Sequence, residues 1–406
     1  MQAILALNAG SSSVKFAVYE ARPSAPVLLL RGALDLHADN NRFVIKDAGG
    51  QPIRDDKAGD PESDLATTLL ERIEPLLEGR KLEAVGHRIV HGGPDFAASI
   101  LIDAQIIAQL DRLTPLAPLH QPACLEPARR LLSLRPQLRQ VACFDTAFHR
   151  DLAPIYRRFA LPLEFEAKGV RRYGFHGLSF EYVVWHCNQS GLRPDLRMVI
   201  AHLGNGCSLC AVHNGKSVNT TMSLTPLDGV MMGTRSGAVD PGALLYLQQS
   251  EGMSASEVED MLYHKSGLLG LSGLSADMRT LLASADRRAR SAVDQFCARI
   301  AEQICVMATA MNGMDVLVFT GGIGENSADI RRDVCARLAW LGVSSDDQTG
   351  HARSTPASRV DVRTIPTDEE YIIAAHTLDL TRGPREAWVV ARMSSARGAR
   401  RARIAI

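Results

Sequence analysis

The sequence predicts an α/β protein made of two related domains with a cleft between them. Each half of the chain opens with a strand, a turn rich in Gly, Ser and Asn, and a second strand. Hydrophobic periods typical of strands and of helices then alternate through both halves. A chain of 406 residues is long enough for two or three domains, each with its own core.

The first half is expected to begin as a β-meander and to continue with strands and a helix. Its apolar periods predict a helix at Asp64–Leu77 and strands at Ala3–Leu7, Val14–Tyr19, Val27–Leu30, Ala84–Val90 and Val141–Phe144.

The second half repeats this theme. Its patterns predict an Asn214–Gly215 hairpin turn, a glycine turn at Gly321–Gly324, a helix at Ser327–Leu341, and strands at Met198–Leu203, Ser208–Val212, Val316–Thr320 and Val360–Ile365.

These patterns give the expected domain bounds. The first domain is residues 1–147, completed by a C-terminal helix at about 371–381, and the second, nucleotide-binding domain is residues 148–370. Residues 382–406 carry many arginines with little periodicity. A disordered basic tail is the expectation there, with an anion-binding arm as the alternative.

Composition excludes several classes of protein. The 45 Lys and Arg residues balance the 45 Asp and Glu residues, so no whole-chain field attracts nucleic acid or an anionic membrane. No apolar run approaches the ~20 residues of a membrane helix, and the N-terminus lacks the features of a signal peptide. We therefore expect a cytoplasmic protein without nucleic-acid or membrane partners.

The eight cysteines are scattered through apolar or helical stretches, which favours reduced core residues over a disulfide framework. Cys207 and Cys210 form one CxxC pair, but no second pair or nearby His pair completes a zinc site. Core residues on a strand are the preferred interpretation.

Three turns share a design suited to binding phosphate. An apolar strand leads into Asn8–Lys15, His202–Gly206 and Gly321–Asn326, where small residues allow backbone N–H groups to surround an anion. Ser11–Ser13 add hydroxyl groups in the first turn, and Lys15 adds a charge. The sequence patterns of P-loop, dinucleotide-binding and α/β-hydrolase proteins do not occur in the chain.

Two arginines occur in segments flanked by glycines, Arg88 in HRIVHGG and Arg235 in MGTRSG, where a planar guanidinium can bind carboxylate or phosphate through two donors. A surface salt bridge is the alternative for each. His176 lies in a similar turn, where a structural role is the alternative. Asp145 follows a strand, where α/β proteins place ligand-binding groups, although it can also serve as a helix N-cap.

Together these segments resemble the acetate kinase family, whose pattern near the N-terminus is N-x-G-S-S-S-x-K. From about residue 4 to residue 375 the resemblance runs in order through HRIVHGG, LAPLHQP, FDTAFH, RYGFHG, HLGNG, NGKSVNTTM, TPLDGVMMGTRSG, FTGGIGEN and IPTDEE. The resemblance implies the two duplicated, ribonuclease H-like domains of the actin and sugar-kinase superfamily. It also implies reversible transfer of the ATP γ-phosphoryl group to acetate, which gives acetyl phosphate and ADP.

The resemblance also implies roles for individual residues. Asp145, His176 and Arg235 would be catalytic, Asn8 and Glu369 would bind Mg²⁺, with Mn²⁺ as an alternative, and Ser11, Ser13 and Lys15 would lie close to the phosphates. Arg88 would bind the substrate carboxylate, in a small acyl pocket formed by Val90, Leu119, Phe175 and Pro226. ATP would contact Lys15, His202, Leu203, Gly204, Asn205, Gly206, Asp277, Met278, Arg279, Gly322, Ile323, Gly324, Glu325 and Asn326.

Physical chemistry qualifies one of these roles. A simple carboxylic acid has a pKa near ~4 to 5 and is ionised at neutral pH, so phosphoryl transfer to it needs no general base. We therefore expect Asp145 to orient a magnesium-bound water or a neighbouring arginine.

The chain departs from the family pattern beside three of these segments. Leu178 and Phe180 replace a threonine and a histidine after His176, Ala238 replaces an aspartate after Arg235, and Asp368 replaces an asparagine before Glu369. Met278 also stands where the family has an aromatic residue, and methionine can still pack against a purine. All the expected charged catalytic groups remain, which favours an active kinase.

Other functions stay open. Propionate is the nearest alternative acceptor, since one methylene changes pocket affinity by only about 1 to 3 kcal/mol. A catalytically inert nucleotide-binding protein and a sugar kinase with the same fold are further alternatives. The family resemblance also implies a homodimer.

Overall fold

The computed structural model describes residues 2–10, 13–35, 42–57, 65–346 and 353–382. Ser11, Ser12, the side chain of Ser13, and the basic tail beyond residue 382 lie outside the described residues.

Fifteen strands occur in the described part of the chain. They are β1 (Gln2–Ala9), β2 (Ser13–Ala21), β3 (Pro26–Asp35), β4 (Arg42–Asp47), β5 (Pro52–Lys57), β6 (Lys81–Ile89), β7 (Ile100–Leu101), β8 (Arg139–Phe144), β9 (Met198–Leu203), β10 (Cys207–His213), β11 (Lys216–Thr220), β12 (Val316–Thr320), β13 (Ser345–Asp346), β14 (Arg353–Ser354) and β15 (Asp361–Thr364).

The α-helices of the same residues are α1 (Leu65–Ile73), α2 (Ala104–Asp111), α3 (Gln121–Leu134), α4 (Pro154–Arg157), α5 (Leu163–Ala167), α6 (Gly177–Gln189), α7 (Pro241–Gln249), α8 (Ala255–His264), α9 (Gly267–Ser272), α10 (Met278–Ala283), α11 (Arg287–Ala310), α12 (Gly321–Asn326), α13 (Ala328–Arg337) and α14 (Glu369–Thr381). Short 3₁₀ helices lie at Glu74–Leu77, Thr114–Leu116, Ala147–His149 and Ala339–Leu341.

The chain divides into two compact units. Unit 1 contains the described residues up to Ala147 together with those from Asp368 onwards, and unit 2 is Phe148–Thr367. The second boundary lies before Asp368, whereas the sequence patterns predict it after residue 370. The physical reason is that the Asp368 side chain caps α14, and α14 packs against β1, β6 and β8 of unit 1.

Unit 1 is built on an eight-stranded sheet with the order β5-β4-β3-β2-β1-β6-β8-β7. The first five strands of the chain form an antiparallel meander, and β1, β6 and β8 are parallel to one another. The carboxyl ends of these three strands therefore lie at one edge of the sheet.

Unit 2 is built on a seven-stranded sheet with the order β11-β10-β9-β12-β15-β14-β13. Here too an antiparallel meander, β9 to β11, lies beside two strands, β12 and β15, that run parallel to its first strand. The same sequence of pairings occurs in unit 1 with β1 to β3, β6 and β8. This repetition confirms the predicted α/β class and the relation between the two halves.

Close packing requires glycine at one point in unit 1. Gly86 lies on β6 beneath α14, and a Cβ atom there would be 2.2 Å from the Thr377 hydroxyl oxygen and 2.5 Å from Cγ2 of Ile373. Separations this short are not possible for a real methyl group, so the helix can approach the strand only over glycine.

Several predicted elements have different bounds in the structure. The predicted helix at Asp64–Leu77 ends as an α-helix at Ile73 and continues as a 3₁₀ turn, in which Pro75 lacks the N–H that an α-helix needs. The predicted turn at Gly321–Gly324 is the short helix α12. Ser327 caps α13 with its side chain and is not the first helical residue.

Within the described ranges, no helix is both long and apolar enough to cross a membrane.

Candidate functional site

Three polar residues meet at the carboxyl edge of the unit 1 sheet. Asn8 is near the end of β1, Arg88 is near the end of β6, and Asp145 directly follows β8. The backbone N–H of Asp145 donates to the carbonyl oxygen of Ile89 at 3.0 Å, which holds the aspartate beside the end of β6. Parallel pairing of the strands therefore brings together residues that are far apart in the chain.

Arg88 and Asp145 form a buried ion pair. Nε and Nη2 of Arg88 donate to Oδ2 of Asp145 at 3.0 and 2.5 Å. The arginine side chain is 18% exposed and the aspartate side chain 1% exposed. Burial lowers the pKa of Arg88, but the carboxylates of Asp145 and Glu369 outweigh this effect and hold the pKa above its usual range. The guanidinium therefore stays charged, and its end that carries Nη1 is left to bind an anion.

The second oxygen of Asp145, Oδ1, is buried without a hydrogen-bond partner among the described residues. A buried carboxylate oxygen without a partner is costly. Its presence is typical of a site completed by a ligand or a cation.

Asn8 connects this edge to the start of α14. Its Nδ2 donates to Oε2 of Glu369 at 3.0 Å and to Oε1 of Glu370 at 3.1 Å. Burial raises the pKa of the Glu369 carboxyl to about 7; Arg88 opposes this change, and the nearby carboxylates of Asp145 and Glu370 add to it. Lys15 pairs with Asn8 across β1 and β2 and is exposed.

These groups fit a small divalent cation. Within the described ranges, no three or more His, Cys, Asp and Glu side chains are arranged to hold a metal by themselves. Mg²⁺ does not require such a cage, since it commonly binds one or two carboxylates and completes its shell with water and substrate phosphate. The Asn8 amide oxygen, the Glu369 carboxylate and the free Asp145 oxygen are hard oxygen donors of this kind.

Unit 2 presents its glycine-rich segments at the corresponding edge of its own sheet. The turn at Gly204–Gly206 follows β9 and α12 follows β12, and these two strands are parallel neighbours. A Cβ atom on Gly204 would lie 3.8 Å from the backbone N of Gly322, so the two segments are adjacent. Gly321 has a φ of 77°, a left-handed conformation that favours glycine, and its Cα lies close to the backbone of Leu203.

A pocket of about 850 Å³ opens between these segments and the start of α10. Eight residues of the predicted ATP set line it: Gly204, Asn205, Asp277, Met278, Arg279, Gly322, Ile323 and Asn326. Pockets of this size accommodate nucleotide-sized ligands. The structure thus brings together three segments that are separated in the sequence.

Asp277 caps α10, and its carboxylate accepts from the backbone N of Arg279 at 2.8 Å and from the Arg279 side chain. These hydrogen bonds, first of all that from the Arg279 guanidinium, lower the pKa of Asp277 to about 2. The arginine side chain is 91% exposed at the mouth of the pocket.

Other residues of the predicted ATP set do not line this pocket. They are Lys15, His202, Leu203, Gly206, Gly324 and Glu325. Leu203 is fully buried in β9, and Gly324 is buried in α12.

Glu325 connects two parts of unit 2. Its Oε1 accepts hydrogen bonds from the backbone N–H groups of Gly321 and Thr367, each at 2.9 Å. The carboxylate thus fixes the first residue of α12 to the segment that precedes α14.

His176 and Arg235 both lie close to Gly206. A Cβ atom on Gly206 would be 3.3 Å from Nε2 of His176 and 3.6 Å from Nη1 of Arg235. His176 has a left-handed φ of 57°, and its Nδ1 lies 2.7 Å from Oγ of Ser208. The guanidinium of Arg235 donates to the carbonyl oxygen of Pro226 at 3.2 Å. The predicted histidine and arginine are therefore brought together beside a glycine turn.

Comparison with known proteins identifies the family of this chain. A family model described as the acetokinase family matches residues 3–375. The acetate kinase of Rhodopseudomonas palustris (strain TIE-1) is 46% identical over 400 residues, which cover 94% of this chain and 99% of that protein. This chain belongs to the acetokinase family.

Solved structures of acetokinase relatives have the same fold. The crystal structure of Porphyromonas gingivalis acetate kinase is 37% identical, with a TM-score of 0.82, over 94% of this chain and 100% of that one. A propionate kinase from Francisella tularensis subsp. tularensis SCHU S4 is 38% identical, with a TM-score of 0.85, and the same shares of the two chains are covered. The resemblance and the fold class predicted from the sequence are confirmed.

The residues expected to form the acyl pocket of this acetokinase are divided between the units. Val90 and Leu119 belong to unit 1, where Val90 is buried and Leu119 is 38% exposed. Phe175 and Pro226 belong to unit 2, where the Phe175 side chain is buried. Their role as a pocket remains a prediction.

Two departures from the acetokinase pattern occupy the core of unit 2. Leu178 and Phe180 lie on the buried face of α6, and both side chains are at most 2% exposed. The ring of Phe180 lies edge-on to the imidazole of His149, with 5.7 Å between the ring centroids. These two buried apolar side chains therefore stabilise the packing of α6, the helix that follows His176.

The other two departures, Ala238 and Asp368, are compatible with the local backbone structure. The N–H of Ala238 donates to the carbonyl oxygen of Gly229 at 2.9 Å, a backbone contact that needs no carboxylate. Asp368 caps α14 by accepting from the backbone N of Tyr371 at 3.0 Å, which aspartate does as well as asparagine. It also accepts from the Tyr19 hydroxyl at 3.3 Å and lies 3.5 Å from Arg31.

Cys207 and Cys210 are buried on β10, and burial raises the pKa of each thiol to about 12. Such thiols stay protonated at neutral pH. This supports their interpretation as core residues.

Sequence reasoning missed several residues of the site. Ala276, Leu282, Ser327, Ala328 and Asp329 also line the pocket. Leu282 lies four residues after Met278 on α10, a spacing that places both on one face of a helix and could have indicated it.

Proposed function

We propose that this acetokinase catalyses reversible, Mg²⁺-dependent transfer of the γ-phosphoryl group of ATP to acetate, giving acetyl phosphate and ADP. The observation that carries the proposal is the family match over residues 3–375 in a chain that retains Arg88, Asp145, His176, Arg235 and Glu369. Acetate kinase is also the activity named for the relative in Rhodopseudomonas palustris.

In this proposal Arg88 binds the acceptor. Asp145 occupies one side of the guanidinium through Nε and Nη2, which fixes the plane of the guanidinium and leaves Nη1 for the acetate carboxylate. The acid is ionised at neutral pH, so Asp145 does not need to remove a proton from it. Asp145 thus acts by orienting Arg88.

The phosphoryl donor binds unit 2. The pocket between Gly204, Asn326 and α10 holds the nucleoside, with apolar contacts from Met278 and Leu282. A carboxylate oxygen attacks the γ-phosphorus, the bond from that phosphorus to the bridging oxygen breaks, and ADP leaves with the electron pair. His176 and Arg235 beside Gly206 supply donors to the equatorial oxygens of the transferred group.

Asn8, Glu369 and the free oxygen of Asp145 would hold Mg²⁺. When bound, the ion would neutralise negative charge on the phosphate oxygens. Transfer also requires the reacting oxygen and phosphorus to be about 3 to 3.5 Å apart, which rigid donors such as Arg88 favour.

The test is acyl phosphate formation from ATP and Mg²⁺ with acetate, propionate or butyrate in parallel, trapped as the hydroxamate. Acyl phosphate that forms with the wild type and disappears in Arg235→Ala supports the proposed kinase activity. The relative amounts formed from the three acids identify the preferred substrate. Absence of product from every acid, with ATP still bound, would contradict the proposal.

Propionate is the second candidate acceptor. The observation that favours it is the propionate kinase of Francisella tularensis, which is 38% identical with a TM-score of 0.85. One methylene alters pocket affinity by only about 1 to 3 kcal/mol, so a family fold does not decide between the two acids.

We further propose a cytoplasmic homodimer. Several large apolar side chains of unit 2 are more than half exposed, namely Ile155, Leu161, Leu163, Leu245 and Tyr246. Exposed apolar side chains are frequent in subunit interfaces. Light scattering coupled to gel filtration tests the dimer, and cell fractionation tests the location.

A further inference from the structure

A row of side chains inside unit 2 links Thr367 to His202. Oγ1 of Thr367 donates a hydrogen bond to Oγ of Ser179 at 2.9 Å, and Oγ of Ser179 lies 2.8 Å from Nδ1 of His202. Ser179 is fully buried on the first turn of α6. These contacts therefore form in a place that water does not reach.

The direction of these hydrogen bonds assigns the proton of the His202 ring. A hydroxyl group carries one proton. Because Ser179 accepts the proton of Thr367, its own proton is available for Nδ1 of His202. Nδ1 is then an acceptor, and the ring proton lies on Nε2.

Nε2 of His202 faces the nucleotide segments. A Cβ atom on Gly204 would lie 3.7 Å from this nitrogen and 3.8 Å from the backbone N of Gly322. Gly204 and Gly322 both line the pocket of about 850 Å³. The assigned ring proton is thus a donor beside the glycine turns.

The same chain of hydrogen-bonded side chains also contacts α12, which carries Gly321 and Gly322, and His176. Oε1 of Glu325 accepts from the backbone N–H of Thr367 and from that of Gly321. At the other end, the ring of His202 stacks on the ring of His176, with 4.2 Å between centroids and 25° between planes. The orientation of His202 therefore supports the imidazole that faces Gly206.

We infer that Ser179 and Thr367 are positioning residues, which hold His202 with its proton on Nε2 so that the ring can donate to a nucleotide phosphate. The inference rests on the proposed function only for the identity of that nucleotide. Neither hydroxyl contacts the reacting atoms, and both act through His202.

The test uses the full-length chain with Ser179→Ala, which removes the donor to Nδ1, and Thr367→Val, which keeps the shape of threonine without its hydroxyl. Thr367→Ser keeps the hydroxyl and should restore wild-type behaviour. Thr377→Val is the matched control, because Thr377 is a buried threonine of unit 1 whose hydroxyl bonds to the carbonyl oxygen of Ile373.

Three measurements apply to each variant. The ¹⁵N shifts of the His202 ring, assigned with His202→Gln, report which nitrogen carries the proton. Calorimetry with MgADP reports nucleotide affinity without any chemistry. Steady-state rates of acyl phosphate formation separate KM for ATP from KM for acetate.

We expect a proton on Nε2 in the wild type and a mixture of tautomers in Ser179→Ala. The dissociation constant of ADP and KM for ATP should rise about three- to tenfold, the size of one lost hydrogen bond, while KM for acetate stays unchanged. Thr367→Val should show the same changes to a smaller extent. Thr367→Ser and Thr377→Val should match the wild type.

A proton on Nδ1 in the wild type would overturn the inference. So would an unchanged ADP dissociation constant in Ser179→Ala, or an equal loss in Thr377→Val. If no acid yields acyl phosphate but the tautomer and the ADP affinity change as expected, the proposed function fails and the positioning role is supported.

Discussion

Replacing Asp145 by asparagine removes one negative charge from the buried pair with Arg88 and keeps the shape of the side chain. In the wild type, Oδ2 accepts two hydrogen bonds from the guanidinium, at 3.0 and 2.5 Å, and the two side chains are 1% and 18% exposed. Water therefore screens the ion pair only weakly, so the negative charge of Asp145 contributes substantially to holding Arg88 in place.

The structure allows an estimate of the effect. Hydrogen bonds between charged groups contribute about 1.5 to 3 kcal/mol each, and an amide oxygen can still accept from the guanidinium. We expect Asp145→Asn to lose about 2 kcal/mol of transition-state stabilisation, which corresponds to a decrease of about 30-fold in kcat/KM for acetate. Thermal stability should also decrease, since Arg88 becomes a less compensated buried charge.

The assay is hydroxamate formation with kcat/KM for acetate measured from about pH 6 to about pH 9, at several Mg²⁺ concentrations. The variant should show a lower rate and weaker Mg²⁺ dependence. Its profile should keep an acid limb, which moves to lower pH only as far as loss of the Asp145 charge lowers the pKa of Glu369. Asp368→Asn is the control, since asparagine caps a helix equally well, and it should stay within about twofold of the wild type. Loss of the acid limb of the profile in Asp145→Asn alone would refute this reasoning and make Asp145 a general base.

Three further predictions concern packing, the site and pH. Gly86→Ala places a methyl group 2.2 Å from the Thr377 hydroxyl oxygen and should lower the free energy of unfolding by about 1 to 3 kcal/mol; urea denaturation measures it, and an unchanged midpoint would contradict the packing argument. Gly206→Ala places a methyl group 3.3 Å from Nε2 of His176, where the proposed function puts the transferred phosphoryl group, and should lower kcat with little change in thermal stability. Equal kcat in the variant and the wild type would show that the phosphoryl group does not occupy the space beside Gly206. Burial lowers the pKa of His87 from 6.5 to about 4, so the unfolded chain takes up a proton there before the folded chain does. His87 should therefore reduce stability as pH falls from about 6.5 to about 4, by up to about 3 kcal/mol, and urea denaturation of His87→Asn at both ends of this range should show a smaller loss. Parallel losses in the two proteins would exclude His87 as the cause.

Much of the fold follows from local sequence patterns. The strands at Met198–Leu203 and Val316–Thr320 have the predicted bounds, because a short apolar run between polar turn residues specifies a buried strand. The helix predicted at about 371–381 instead begins at Glu369, because Asp368 caps it. The segment Gly321–Asn326 is helical despite its glycines, because its first N–H is held by Glu325 and its backbone packs on Leu203.

The site was predictable to the extent that the residue types themselves imply chemistry. Glycine turns after strands, arginines near glycines and an aspartate after β8 all indicate candidate binding groups, and the order of the motifs indicates the family. Glu325 shows the limit of sequence patterns, because its Oε1 accepts from the backbone of Gly321 and Thr367, which lies 42 residues away in the chain. No local pattern reveals the direction in which a carboxylate points.

The sequence by itself determined which chemical groups this protein carries, and the strand ends and turns that present them. Only the tertiary structure decided which groups touch. Arg88 and Asp145 are 57 residues apart, Asn8 and Glu369 are 361 apart, and Ser179 and Thr367 are 188 apart. Periodicity and turn chemistry act over a few residues, whereas these contacts depend on the parallel pairing of strands and the packing of α6 and α14.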